Sequence, residues 1–167
     1  FDPELRDERQ AFQRPIFLYV GRVAHEKNLP AFLGLDLPGS KVVVGEGPAL
    51  STLRSRYPDA HFLGKREGSA LAQAYASSDV FVFPSRTDTF GLVMLEALAS
   101  GVPVAAYPVP GPLDVLGGSD AGALDEDLKS AAMKALGLSR TRAREHALRF
   151  SWSACARQFL DQLCPAR

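Results

Sequence analysis

The segment from Val80 to Ala106, VFVFPSRTDTFGLVMLEALASGVPVAA, encodes a strand, a polar loop, a helix and a second strand in immediate succession. Val80–Phe83 has the β-branched and aromatic content of a buried strand. Pro84 ends it, and Ser85–Thr89 is polar. Phe90–Ser100 has helical composition, closed by Gly101 with Pro103 just beyond. Val102–Ala106 is apolar again. Glu96 is the one charge in the otherwise apolar run Leu92–Ala99. A carboxylate among apolar neighbours is costly to bury alone, so Glu96 needs an edge, a partner, or a ligand that carries hydroxyls.

The same alternation runs along the chain. Strands are expected at Ile16–Val20, Lys41–Val44 and His61–Leu63. Helices are expected near Asn28–Leu35, Ala49–Tyr57 and Ser69–Ser77, the last with Leu71, Ala74 and Tyr75 at helical spacing. Three more helices should close the chain, at Leu128–Leu136, Arg140–Phe150 and Ser153–Leu163. Strands alternating with helices across short connections predict βαβ units and a parallel sheet covered on both faces. The expected fold is therefore α/β, a Rossmann-like, doubly wound parallel sheet. No repeat, low-complexity segment or internal linker divides residues 1–167, which read as a single domain. It has a leading segment over 1–14 and a C-terminal helix over 151–167.

Composition narrows the classes of function. Lys+Arg and Asp+Glu both number 19, so the net charge is zero, which argues against bulk electrostatic binding of nucleic acid. No run of about 18 apolar residues suits a transmembrane helix, and no signal-peptide pattern is present. The chain begins at Phe1 with a charged segment, which reads as a piece of something longer. Cys155 and Cys164 stand nine apart, on roughly opposite faces of a helix, so reduced thiols in a cytoplasmic protein fit best.

The loops with chemical character all fall at the carboxyl ends of the expected strands, where ligands bind in such sheets. Arg22 and Lys27 lie five apart in the first of these loops. An Arg fork beside a Lys point charge suits a diphosphate; on spacing alone, two solvated loop cations, with Lys27 paired to Glu26, are the favoured reading. Thr89-Phe90-Gly91 opens the central helix, whose N-terminus offers unpaired N–H groups. The plain alternative is a helix capped by Asp88 or Thr89. Phe90 to Glu96 spans about 9 Å along a helix axis, so Asp88 and Glu96 can touch different parts of one extended ligand but not act as a close acid–base pair. Gly45-Glu46-Gly47-Pro48 lacks the third glycine of a dinucleotide fingerprint and reads as a tight turn. Asp125-Glu126-Asp127 suits a helix start better than a metal site, and His25, His61 and His146 show no paired ligand spacing. Arg140, Arg142, Arg144 and Arg149 read as a solvated helical face rather than a membrane-surface patch.

Taken together, FLYVGRVAHEKN, KVVVGEGP, HFLG, LAQAYASSDVFVFPSRTDTFGLVMLEALASGVPVAA and the late FSW resemble the C-terminal, donor-binding half of the group-1 (family 4) retaining glycosyltransferases, one half of a GT-B fold. The likeness runs from about Ile16 to Leu163. It implies that Arg22 and Lys27 neutralise the diphosphate of a UDP- or GDP-linked sugar. It implies that Glu96 accepts hydrogen bonds from the ribose, and that Asp88 with Thr89, Phe90 and Gly91 holds the sugar and phosphate. Gly21 would allow close approach of the first loop, and Gly64 and Lys65 would lie against the base. No metal or other cofactor is implied. The family usually carries Glu-x7-Glu; the first acid here is Asp88, shorter by one methylene.

The resemblance also implies an acceptor-binding N-terminal half that is absent from this sequence, and through it a glycan or lipid acceptor. The chain alone is then expected to bind nucleotide weakly and to transfer nothing. The implied setting is cytoplasmic, at or near the inner face of a membrane with peripheral contact, in glycan or glycolipid biosynthesis. The competing readings are a sugar-nucleotide epimerase or phosphorylase of related fold, and a non-catalytic nucleotide-binding Rossmann-like module. A phospho-receiver is disfavoured, because Gly21-Arg22 stands where it needs acids.

Overall fold

Six parallel strands form one sheet: β1 (Ile16–Val20), β2 (Ser40–Val44), β3 (His61–Phe62), β4 (Val80–Phe83), β5 (Val104–Ala106) and β6 (Gly122–Leu124). Their spatial order is β3-β2-β1-β4-β5-β6. The structure is a computed structural model, and it describes residues 1–8, 11–151, 153, 156, 157 and 160. The helix expected over 153–163 therefore lies largely outside the described residues, as do Trp152, Cys155 and Cys164.

Seven α-helices connect and flank the strands among the described residues: α1 (Leu29–Leu33), α2 (Leu50–Arg56), α3 (Gly68–Ala76), α4 (Leu92–Ala99), α5 (Pro110–Leu116), α6 (Leu128–Leu136) and α7 (Arg140–Ala147). Side chains alternate across the sheet, as the period-2 pleat requires. Ile16, Leu18, Val20, Phe81 and Phe83 face one core with α3, α4, α5 and α7. Phe17, Tyr19, Val80 and Val82 face the other with α1, α2 and α6. The fold is the expected α/β, doubly wound sheet.

The main departures from the sequence reading lie at β5, α5 and β6. The strand expected over Val102–Ala106 starts at Val104, because Pro103 has no N–H to give the ladder, although its carbonyl accepts from Phe81 N at 2.9 Å. Residues 110–116, for which the sequence predicts no element, form α5. Pro110 sits at its start and Pro112 in its first turn, where the missing N–H groups would be unpaired anyway. β6 is a further strand, Gly-Ala-Leu, paired along β5; a three-residue strand without β-branched residues leaves no periodic signal.

The leading segment is fastened to the sheet. Arg6 and Arg14 both reach the Asp79 carboxylate, at 2.9 and 2.8 Å, and Ile16 N donates to the same group at 2.7 Å. The arginine run is a solvated face only in part: Arg142 and Arg149 are exposed as expected, but Arg140 and Arg144 are tied into the fold. The Arg140 guanidinium donates to the main-chain carbonyls of Ser78, Ala76 and Ser100. Arg144 donates to the carbonyls of Phe1 and Ala99 and to Asp2. Arg142 pairs with Asp120.

Candidate functional site

The strand order reverses between β1 and β4: β2 and β3 lie on one side, β5 and β6 on the other. In an open α/β sheet the two loops leaving such a pair diverge and leave a crevice at the carboxyl ends of the strands. Here that crevice is a cavity of about 510 Å³. Gly21, Arg22, Glu26 and Lys27 line it from the β1–α1 loop. Asp88, Gly91, Leu92 and Val93 line it from the β4–α4 loop and the start of α4. A second cavity of about 280 Å³ continues from it past Gly21 and Arg22 to Gly45, Glu46, Lys65 and Arg66. Together they form one groove across the ends of β4, β1 and β2.

The loops are shaped by close backbone approach. A Cβ on Gly45 would stand 1.9 Å from the Gly21 carbonyl oxygen, so the β1 and β2 loops touch main chain to main chain. Gly45 N donates to the Gly64 carbonyl at 2.9 Å, which draws the β3 loop alongside. Tyr19 lies under the first loop and its hydroxyl donates to the Arg22 carbonyl at 2.9 Å. Burial, with the Asp88 and Glu26 charges, pushes that phenol well above its ordinary range, so it remains a neutral donor.

The two cations are held differently. Lys27 Nζ meets Asp88 Oδ1 at 2.5 Å across the cavity, with both side chains about three-quarters buried. The expected Lys27–Glu26 pairing does not form; Glu26 stands 3.8 Å from Arg22 instead. The Arg22 side chain is 66% exposed, and so extended a pair contributes little. Arg22 is therefore able to swing onto an incoming anion. Asn28 adopts a left-handed conformation (φ 54°) and its amide donates to the Pro84 carbonyl at 3.1 Å, tying the first loop to the end of β4.

Helix α4 begins later than the sequence suggested, at Leu92. Its N-cap is Gly91, with φ 77°, and no side chain caps it. The expected capping by Asp88 or Thr89 is absent because Asp88 is turned toward Lys27. The first N–H groups of α4 are thus left toward the cavity, in a position that suits an anion. Thr89 and Phe90 are exposed and do not line the cavity. Neither do Gly64, whose carbonyl accepts from Gly45 N, and Glu96.

Glu96 is half-buried on α4, one turn beyond Leu92 and Val93. Its partner is Tyr75 on α3, whose hydroxyl donates to Oε2 at 2.8 Å. The sequence left the partner of Glu96 open and gave Tyr75 only as a residue at helical spacing. The carboxylates of the 125–127 triplet are each engaged within the protein: Asp125 with Lys134 and Ser130, Glu126 with Arg86, and Asp127 as the cap of α6.

The family model described as glycosyl transferases group 1 matches residues 14–140. The chain belongs to this family. It is 43% identical over 123 residues to the GDP-mannose-dependent alpha-mannosyltransferase of Mycolicibacterium smegmatis, covering 70% of this chain and 33% of that protein. It is 36% identical over 128 residues to the sulfoquinovosyl transferase SQD2 of Arabidopsis thaliana, covering 70% of this chain and 25% of that one. The chain thus spans a quarter to a third of these relatives. Sucrose-phosphate synthase from Thermosynechococcus elongatus has a similar structure, with a TM-score of 0.75 and 25% identity over 96% of this chain and 49% of that one. The lipopolysaccharide outer core galactosyltransferase WaaB shares the fold, with a TM-score of 0.75 at 17% identity over 93% and 50% of the two chains. The domain is the Rossmann-like half of a GT-B glycosyltransferase fold.

Proposed function

We propose that this domain binds a nucleoside-diphosphate sugar and serves as the donor half of a retaining glycosyltransferase. The observation that carries the reading is the cavity at the strand-order reversal. It gathers Arg22, Lys27, Asp88 and the uncapped start of α4 around one space. Two cations and a helix N-terminus suit a diphosphate, whose oxygens need several donors at once. Asp88 beside them suits the hydroxyls of the transferred sugar, and Glu96, further along α4, those of the ribose. The base would extend along the groove toward Lys65.

In the proposed reaction an acceptor hydroxyl takes the place of the β-phosphate oxygen on the anomeric carbon, with retention of configuration. The nucleoside diphosphate leaves with the hydroxyl proton. Charge developing on it is met by Arg22, Lys27 and the α4 N-terminus, an electrostatic contribution of the oxyanion-hole kind. Those groups supply positive charge without a metal ion, so chelation should leave the nucleotide affinity unchanged. Lys27 has three donors, so it can keep Asp88 while it engages a phosphate. The donor is a UDP- or GDP-linked sugar. Relatives named GDP-mannose-dependent put a GDP-sugar first. The acceptor, a glycan or lipid, would be held by a second domain that this chain does not include.

Calorimetric titration with GDP and UDP tests the reading, beside an Arg22→Ala/Lys27→Ala double variant. One nucleotide should bind, and the variant should raise its Kd about a hundredfold, from two charge-assisted contacts of roughly 1.5 kcal/mol each. Equal binding by the variant, or no binding of either nucleotide, overturns it.

A further inference from the structure

Glu96 does not stand alone on α4. Its Oε2 receives the Tyr75 hydroxyl at 2.8 Å, and Oε1 takes no protein partner among the described residues. Tyr75 itself is fully buried. The Phe1 ring meets it edge-on at 5.5 Å between centroids, and Phe81 packs against it at 5.7 Å. The phenol is thus fixed in the core, with its hydroxyl on the Glu96 carboxylate of α4. A glutamate at a half-exposed helical position otherwise has several rotamers open to it. One strong hydrogen bond from a rigid donor selects among them.

We propose that Tyr75 is a positioning residue: it holds the Glu96 carboxylate by one oxygen so that the other is presented, already oriented, to the ribose hydroxyls of the nucleotide. This rests on the donor-site reading above, which makes Glu96 the ribose acid. Burial pushes the Tyr75 phenol well above its ordinary range, and the Glu96 charge and their hydrogen bond add to this. The phenol therefore stays protonated at any ordinary pH and always acts as the donor. The proposal also explains why a residue in the middle of a closed core is Tyr rather than Phe. A buried hydroxyl needs a partner, and the partner it finds is the acid that the ligand uses.

The test is the penalty for removing ribose hydroxyls. Kd is measured for the bound nucleoside diphosphate and for its 2′,3′-dideoxy form, in the wild type, Tyr75→Phe and Glu96→Gln. The wild type should bind the ribose form at least about tenfold more tightly, one charge-assisted hydrogen bond or more. Both variants should bring that ratio toward one while the dideoxy affinity stays nearly unchanged. A purely structural Tyr75 would instead weaken both forms alike, or neither, and leave the ratio at its wild-type value, which overturns the proposal. Melting temperature is followed in parallel. If Tyr75→Phe is too unstable to titrate, Tyr75→4-fluorophenylalanine replaces it; this fills the space of the hydroxyl without a donor and leaves Glu96 untouched, and the ratio should fall there too. An unchanged ratio in that variant counts against the proposal in the same way. A wild-type ratio of one, or a ratio insensitive to Glu96→Gln, overturns the assignment of Glu96 to the ribose and the proposal with it.

Discussion

Single residues decide whether the β1 loop can carry Arg22 where a ligand would meet it. Gly45 is the tightest of them, since any side chain there would run into the Gly21 carbonyl. Its φ of 139° is also one that side chains rarely adopt. Gly45→Ala must push the two loops apart. It should destabilise the protein by more than about 1 kcal/mol, as for other alanines placed at positive φ, and weaken nucleotide binding. Thermal melts with and without nucleotide would show both effects; an unchanged melting temperature would contradict the close backbone contact. At this scale the sequence was partly legible. Type and spacing made Arg22, Lys27, Asp88 and Gly91 candidates, the family resemblance selected them, and the fold brings them to one cavity. The Lys27–Asp88 pair was not legible, because the partners lie 61 residues apart in sequence and a nearer acid, Glu26, competes on paper.

Among the elements, α3 and α4 end side by side, and Arg140 serves both. Its guanidinium fills the space where the carbonyls of Ala76, Ser78 and Ser100 point. Carbonyls at helix ends have no partner in their own helix, and a cation there also meets the negative end of the helix dipole. Burial, with the charge of nearby Arg6, lowers the guanidinium to about 10, still well above neutrality. Arg140→Met keeps much of the stem and removes the fork. It should cost about 2 kcal/mol, the size of a hydrogen bond to a charged group lost from a shielded site. A shift in urea midpoint at constant slope would register the loss; no shift would mean that water replaces the fork without penalty. The helices that pack by an apolar face were readable from spacing. α5 was not, because its prolines lie in its first turn, and three-residue β6 was not, because it is too short to show a period.

For the molecule as a whole, Asp79 is where the leading segment, the start of β1 and the turn before β4 meet. Burial pushes its carboxyl up, but the Ile16 amide, Arg6 and Arg14 outweigh that and hold it below the ordinary carboxylate value. A carboxyl lowered on folding stabilises the fold above its unfolded value, near 3.9, and that stability is lost as pH falls through the lower folded value. Stability should therefore decline below about pH 4. Asp79→Asn should lower stability at neutral pH and flatten that acid limb, as chemical denaturation at several pH values would record; an unaltered acid limb would remove Asp79 from this role. The alternation of apolar runs and helices was enough, from the sequence alone, to give a parallel α/β sheet, and the loops rich in Gly, Pro and charge lie, as expected, at its carboxyl end. Both are local, being written in period, turn residues and short spacings. The order β3-β2-β1-β4-β5-β6, the crevice between β1 and β4, the union of Lys27 with Asp88 and of Tyr75 with Glu96, and the pairing of Arg6 and Arg14 with Asp79 were decided only by the tertiary structure. Each depends on which distant segments become neighbours, and that is set by burying both faces of the sheet at once rather than by any one stretch of chain.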